Sequence, residues 1–127
     1  MKMIIFGSRT FTDYEKFSDV LEDFMSSIDD NGDYVEAVIS GGAMGTDQMA
    51  ERFFKEREVE PTVIKPDYAR YPGNLAPLKR NEEMVKLVDN NTACVCFWDG
   101  ESRGTLHMLG LLVQAGYPVN VFSTNKK

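Results

Sequence analysis

Five short apolar runs that alternate with helical patterns constrain the fold of this chain more than any other feature of its sequence. The runs are nearly continuous in Ile, Val, Phe and Cys, with little alternation of apolar and polar residues. Such runs are typical of strands that are buried on both faces of a parallel sheet. We therefore predict five parallel strands, which cover residues 2–6, 34–39, 62–65, 92–98 and 118–122.

Four helices are predicted between these strands. In the first, apolar residues recur at spacings of three and four from Phe17 to Ile28, and Asn31 with Gly32 forms a C-cap. The second covers about residues 46–58, the third about 78–87 with Met84 and Leu87 buried, and the fourth about 105–115. The order βαβαβαβαβ predicts an α/β fold. We expect a doubly wound parallel sheet of strand order 3-2-1-4-5, with right-handed crossovers, in one domain spanning residues 1–127.

The composition of the chain bounds its class and its partners. Its 127 residues, 43% of them hydrophobic, suffice for one domain with a buried core. The net charge of −6 argues against broad coating of nucleic acid but leaves room for a local basic site. No apolar run approaches the roughly 18–20 residues of a membrane span, and the first apolar run is too short for a signal peptide. We therefore expect a cytoplasmic protein with no membrane partner, in which Cys94 and Cys96 are buried, reduced thiols.

Four segments at the carboxyl ends of the predicted strands combine glycine, hydroxyl and basic residues. They are residues 7–9, residues 40–47, the loop leading to residues 79–81, and residues 99–105. Glycine lets a ligand approach the backbone, and helix N-termini offer free N–H groups and a positive partial charge to an anion. One such loop alone is often only a tight turn. Their convergence on one edge, near the switch point between the first and fourth strands, predicts a phosphate site.

The candidate ligand-binding residues come from all four segments. Arginine suits bidentate contact with phosphate, and Thr46 offers both its N–H and its hydroxyl. Asp47 is compatible with two roles, since it could accept a hydrogen bond from a ribose hydroxyl or brace the loop by accepting backbone N–H groups. Asn81 could contact the sugar or cap its helix. The full set is Gly7, Ser8, Arg9, Gly41, Gly42, Ala43, Gly45, Thr46, Asp47, Arg80, Asn81, Asp99, Gly100, Ser102, Arg103, Gly104 and Thr105.

These motifs, taken in order, resemble the SLOG superfamily. GSR follows the first strand, SGGAMGTD the second, RNEEM opens the third helix, and FWDGESRGT follows the fourth strand. This Rossmann-like superfamily holds the DprA-type DNA-processing proteins and the LOG phosphoribohydrolases, and the chain is most similar to the small single-domain YspA-type branch. The resemblance covers nearly the whole chain. It implies a small-molecule partner, a nucleotide or a phosphoribosyl or ADP-ribose-like ligand, at the glycine-rich edge, with no further cofactor required.

Two alternatives follow from other branches of the superfamily. In the LOG branch a glutamate of a PGGxGTxEE loop works with an arginine on the N-ribosidic bond, whereas the corresponding run here, DGESRGTLHM, has His107 at the position of the first glutamate. A neutral imidazole does not supply the negative charge of a carboxylate, so we favour binding over catalysis. A nucleoside-phosphate N-glycosidase would have to use Arg80 and Glu101. His107 has no second His and no suitable Cys nearby, so no metal site is expected.

Single-stranded DNA binding, as in the DprA branch, is the second alternative. It would need a basic track with stacking aromatic residues. Tyr68, Arg70, Tyr71, Lys79 and Arg80 offer a short one, but the acidic balance of the chain argues against a nucleic-acid partner.

The fourth helix carries apolar residues on nearly every side. We expect Leu106, Leu109 and Val113 to face the sheet. Met108, Leu111 and Leu112 would then point away and form the interface of a two-fold homodimer. Cover from the first helix or the C-terminal tail is the alternative.

Overall fold

Five parallel strands form one sheet in the order β3-β2-β1-β4-β5 in the computed structural model, which describes residues 1–125. Four helices connect them, so the chain has a Rossmann-like α/β fold, and the predicted fold class and strand order are confirmed. The elements in chain order are β1 (Lys2–Gly7), α1 (Tyr14–Asp30), β2 (Ala37–Ser40), α2 (Thr46–Lys55), β3 (Thr62–Val63), α3 (Leu75–Val85), β4 (Thr92–Trp98), α4 (Arg103–Gln114) and β5 (Val119–Ser123).

Two strands are shorter than predicted because their neighbours end. Lys2, the first residue of β1, is in register with Ala37, and the residues before Ala37 meet just Met1, which forms backbone hydrogen bonds with Tyr34 and Glu36. Val63 is in register with Ser40, the last residue of β2, and the pairing of β3 stops there. The predicted strands therefore lose residues at the ends where the sheet offers no partner.

Two helices also differ from their predicted bounds. α2 ends at Lys55 and not near residue 58, because Glu58 adopts a left-handed backbone with φ of 61°. α3 begins three residues earlier than predicted, at Leu75, and ends at Val85. Leu87 lies beyond that end with 39% of its surface exposed, so its predicted burial was wrong, whereas Met84 is buried as expected.

Two apolar cores cover the two faces of the sheet. Alternate residues of β1 and β4 point to opposite faces. Met3, Ile5, Val95 and Phe97 pack with the helices α1 and α2 on one face, through side chains such as Phe17, Leu21 and Phe53. Ile4, Phe6, Cys94 and Cys96 pack with α3 and α4 on the other, through Met84, Met108 and Leu112. Both thiols are free, and burial raises the pKa of Cys94 to about 11 and that of Cys96 to about 12.

Of the three residues expected to face the sheet, only Leu109 packs against the core, so α4 is oriented differently from the prediction. Its buried residues are Thr105, Met108 and Leu112, while Leu106 and Val113 are 52% and 61% exposed. Both stripes are apolar, so hydrophobic periodicity could not decide which one faces the sheet. Met108 and Leu112 belong to the core and Leu111 is partly buried, so these residues do not form the exposed patch that we expected, and the homodimer stays a prediction.

Within the part of the chain that the structure describes, none of the helices combines the length and the apolar character that crossing a bilayer requires.

Candidate functional site

A cavity of about 710 Å³ opens at the carboxyl ends of the strands. It lies where the strand order reverses between β1 and β4, the usual place of a ligand in open α/β sheets. All four predicted segments contribute to its wall. The predicted residues that line it are Gly7, Arg9, Gly41, Gly42, Ala43, Asp47, Arg80, Asn81, Ser102, Arg103, Gly104 and Thr105.

The other predicted residues do not line the cavity; they are Ser8, Gly45, Thr46, Asp99 and Gly100. Ser8 is fully buried, and its carbonyl oxygen accepts hydrogen bonds from the N–H and the hydroxyl of Thr46, at 3.3 and 3.0 Å. The two donors of Thr46 that we expected to meet a ligand are thus engaged within the protein. Gly45 has φ of 71°, and a Cβ there would overlap the backbone carbonyl of Arg9.

The turn before α4 is built around the carboxylate of Asp99. Asp99 Oδ1 accepts hydrogen bonds from the N–H groups of Glu101 and Ser102, both at 2.8 Å, and these bonds lower the pKa of the carboxyl group. The Asp99 N–H in turn donates to Ser8 Oγ at 3.0 Å, which ties this turn to the end of β1. Gly100 completes the turn with φ of 84°. These hydrogen bonds fix the turn that leads into α4, and the first turn of α4 lies at the cavity.

The N-terminus of α4 is open to the cavity. Its N-cap residue, Ser102, makes no side-chain capping bond to the helix backbone, and Ser102, Arg103, Gly104 and Thr105 all line the cavity. A Cβ placed on Gly104 would meet no atom within 4 Å, so the space beside this backbone is free for a ligand. Uncapped N–H groups in the first turn of a helix attract anions.

Arg80 is held in position by two neighbouring elements. Its Nη1 donates to the carbonyl oxygen of Gly41, and its Nε donates to Asn81 Oδ1 at 2.9 Å. A Cβ on Gly41 would lie 2.8 Å from Arg80 Nη1, so only glycine admits the guanidinium at this distance. Burial lowers the pKa of Arg80, and the nearby Asp47 carboxylate acts in the opposite direction.

Asn81 connects α3 to α4. It lies in the middle of α3 and does not cap that helix, so the capping role weighed in the sequence does not apply. Its Nδ2 is 3.1 Å from His107 Nδ1 and 3.4 Å from the carbonyl oxygen of Gly104. With its oxygen bound to Arg80, Asn81 links the guanidinium to the N-terminal turns of α4.

Asp47 is a buried carboxylate in the wall of the cavity. Its Oδ2 accepts a hydrogen bond from the N–H of Ala43 at 3.1 Å, which is the bracing role considered above. Its Oδ1 is buried and has no hydrogen-bond partner among the described residues. Burial raises the pKa of the carboxyl group to about 6, against the opposing effects of the Ala43 N–H and of Arg80. The bracing role therefore accounts for one of its two oxygens.

The charge of the cavity is opposite to that of the whole chain. Four cations, Arg9, Lys65, Arg80 and Arg103, line it together with one carboxylate, that of Asp47, although the net charge of the chain is −6. None of the four cations forms a salt bridge within residues 1–125. Lys65 was missed in the sequence analysis, although it follows β3 at the same edge as the other loops and could have been found there.

Two exposed side chains at the cavity were not predicted to hold the nucleotide: Met44 was missed, and Tyr68 was named only for the track of the DNA-binding alternative. Met44, in the loop after β2, and Tyr68, in the loop after β3, are both 63% exposed and both line the cavity. Glu101, the acid considered for catalysis, is exposed and is not among the lining residues.

A smaller groove of about 320 Å³ adjoins the cavity and shares Lys65 and Arg80 with it. Arg70 and Lys79 lie over the ring of Tyr71 in this groove, 5.3 and 5.9 Å from the ring centroid. The basic and aromatic residues singled out in the sequence therefore do come together, next to the main cavity.

Comparisons with protein-family models, with curated proteins and with solved structures gave no match for this chain.

Proposed function

We propose that this protein binds a nucleotide or nucleotide-derived ligand in the cavity at the carboxyl edge of the sheet. The observation that carries the proposal is the charge reversal: a chain with net charge −6 directs into one cavity four cations that form no salt bridge with the residues up to 125. Arg80 is half-buried, while Arg9, Lys65 and Arg103 are exposed at the cavity, so an anion from outside the chain would compensate the first and be attracted by all four. The uncapped N-terminus of α4 adds a second attraction for the same anion.

The phosphate of the ligand would lie between Arg80 and the first turn of α4. Arg80 is already fixed by Gly41 and Asn81, so little side-chain entropy is lost when it binds. Arg9 and Arg103, from the loops after β1 and β4, would contact the phosphate from the open side. Arginine is well suited to this contact because its planar guanidinium can donate two parallel hydrogen bonds.

The base would lie near the mouth of the cavity, against Met44 and Tyr68. Each of these side chains leaves a large apolar surface in water, and a flat aromatic base would cover part of it. Tyrosine stacks well on any base, so this contact supports a class of ligand without naming the base.

The position of Glu101 favours binding over hydrolysis. An N-glycosidase needs a carboxylate close to the scissile bond. Glu101 is exposed outside the lining, and His107, which occupies the position of the LOG glutamate, faces Asn81 Nδ2 at 3.1 Å. We therefore propose a binding module, with phosphoribohydrolase activity as the alternative.

The adjoining groove supports a second candidate, a ligand longer than a mononucleotide. Lys65 and Arg80 would hold an anion where the two spaces meet, and Tyr71 with its flanking cations would hold the distal part. An ADP-ribose-like ligand and a short single-stranded nucleic acid both have this form. The salt dependence of the affinity distinguishes the two ligands. Binding along a phosphate backbone weakens steeply as salt is added, whereas binding of a single anionic group weakens less.

Calorimetry with AMP and adenosine tests the proposal, because the two ligands differ only in the phosphate. AMP should bind much more tightly than adenosine. Arg80→Ala should weaken AMP binding by about 1.5–3 kcal/mol, the range for hydrogen bonds to charged groups. Lys55→Ala is the matched control: this exposed cation ends α2, about 13 Å along the helix from the edge that carries the site. Equal affinity of Arg80→Ala and the unmodified protein would remove Arg80 from the site, and absence of binding of both AMP and ADP-ribose would overturn the proposed function.

A further inference from the structure

Within residues 1–125, one buried side-chain nitrogen or oxygen atom has no hydrogen-bond partner. This atom is Asp47 Oδ1. A buried acceptor left without a donor costs roughly 1–3 kcal/mol, and more when it is charged. Such atoms are rare in folded proteins and call for an explanation. Asp47 is 5% exposed and is the one acidic residue among those that line the cavity in this part of the chain.

The groups around Asp47 do not supply the missing donor. From its own helix, Glu51 repels it, and Glu51 Oε2 accepts a hydrogen bond from Ser40 Oγ at 3.0 Å. From α3, Arg80 attracts it without forming a salt bridge, since Nη1 of Arg80 donates to Gly41. From the preceding loop, the N–H of Ala43 donates to the other oxygen, Oδ2, and the backbone of Gly41 also lowers the pKa of the carboxyl group. The bracing of the loop therefore uses half of the carboxylate and leaves the other half unexplained.

We infer that Asp47 Oδ1 accepts a hydrogen bond from a sugar hydroxyl of the bound ligand, so that the site selects ribose over deoxyribose. This inference rests on the proposed function. A neutral hydroxyl is the donor that fits, because a second phosphate would be repelled by the carboxylate and an ammonium group by the four surrounding cations. A sugar phosphate carries both required groups within a few bonds: an anion for the cations and a hydroxyl for Asp47.

The contact requires only a small adjustment of the side chain. Rotation about χ2 of an aspartate is soft, because this terminal torsion is broad. Both oxygens turn together about χ2, so the rotation that brings Oδ1 toward the cavity must be small enough for Oδ2 to keep its bond to the Ala43 N–H. The protonation of Asp47 should then control selectivity. Its carboxyl pKa of about 6 means that at lower pH it carries a proton, and Oδ1, the oxygen not bound to Ala43, would donate and no longer accept.

The test compares AMP with 2′-deoxy-AMP and 3′-deoxy-AMP by calorimetry at pH 7.5 and pH 5. At pH 7.5 at least one deoxy ligand should bind about 10- to 100-fold more weakly than AMP, the size expected for one hydrogen bond to a charged acceptor. At pH 5, where only about a tenth of Asp47 is ionised in the free protein, the ratio should fall to about 2- to 10-fold. Titration of the phosphate is common to the three ligands and cancels in the ratio, so the change reports on the protein.

Asp47→Asn is the matched variant. The Ala43 N–H would fix the amide oxygen on its side and leave the NH₂ group toward the hydroxyl, which could accept from it but without the negative charge that strengthens the bond to the carboxylate. The ratio of affinities should therefore collapse at both pH values while AMP still binds. Equal binding of the three nucleotides by the unmodified protein at pH 7.5, or a ribose preference that persists in Asp47→Asn, would overturn the inference and leave the proposed function standing. If AMP and ADP-ribose both fail to bind, the proposed function falls and this inference falls with it. If the variant does not fold, the ligand and pH comparison in the unmodified protein still decides.

Discussion

Asn81 on α3 faces His107 on α4 across 3.1 Å, from Nδ2 to Nδ1. The other end of the same amide accepts a hydrogen bond from Nε of Arg80. The buried side chain of Asn81 therefore fixes the position of Arg80 relative to the N-terminus of α4. We propose that Arg80 and this N-terminus bind the same phosphate. In the SLOG-like interpretation His107 occupies a catalytic position, whereas in this structure its ring faces the amide that orients Arg80.

We expect Asn81→Ala to lower both stability and ligand affinity. The change removes the bonds from Asn81 to Arg80 and to α4 and leaves buried polar groups without partners, at about 1–3 kcal/mol. Urea unfolding measures the stability and calorimetry with AMP the affinity. His107→Ala is the control for the α4 side of the link, because it leaves the Arg80–Asn81 bond in place. If Asn81→Ala binds AMP as tightly as the unmodified protein does, Asn81 has no role in orienting Arg80.

We expect the stability of the protein to decrease as pH rises through about 6, because of Asp47. Its pKa is raised from 3.8 to about 6 in the folded state, so the carboxyl group favours folding below about pH 4 and loses that contribution as it ionises in the folded protein. The shift corresponds to at most about 3 kcal/mol. Asp47→Asn should therefore be more stable than the unmodified protein in urea at pH 7.5, with a difference that shrinks toward pH 4.5.

Asp99→Asn is the control of opposite sign for this measurement. Hydrogen bonds from the N–H groups of Glu101 and Ser102 lower the pKa of Asp99, so its carboxylate favours folding at pH 7.5 and loses this effect as the pH falls. Asp99→Asn should thus be less stable than the unmodified protein at pH 7.5. An Asp47→Asn variant that is less stable at pH 7.5 would show that the bracing of Ala43 outweighs the cost of burying the charge.

We expect no phosphoribohydrolase activity. Asp47, the carboxylate that lines the cavity, has Oδ2 bound to the Ala43 N–H and would hold the sugar hydroxyl with Oδ1, and Glu101 lies outside the lining. Incubation with nucleoside monophosphates, followed by chromatography for the free base, measures the activity. Turnover near the roughly 1–10 s⁻¹ of ordinary enzymes would contradict the binding module and would make Asp47→Asn the first variant to assay.

The sequence was sufficient to predict the sheet because each strand is a continuous apolar run between turn signals. It also identified the loops of the site, since parallel strands bring the glycines after β1, β2 and β4 to one edge. It could not show which polar groups face the ligand. We predicted Thr46 and Ser8 as ligand contacts, but they bond to each other. This bond depends on the close approach of the loop after β2 to the end of β1, which is possible because Gly45 has no Cβ. Lys65 was missed because its strand carries no glycine motif.

The face of α4 that packs on the sheet gives the last prediction. Leu112 is fully buried in the core between α4 and the sheet, whereas Leu106, one stripe away, is about half exposed. Leu112→Ala should cost about 2–5 kcal/mol through lost burial and a cavity. Leu106→Ala makes the same chemical change on the exposed stripe and should stay within about 0.5 kcal/mol. Urea unfolding of the two variants measures these losses, and equal losses would show that the opposite face of α4 packs on the sheet.

The same orientation of α4 moves any contact between two copies of the chain to Leu106 and Val113. Leu106→Glu is therefore the variant that should abolish a dimer in light scattering. An unmodified protein whose mass stays at 14.4 kDa on concentrating would contradict the homodimer itself.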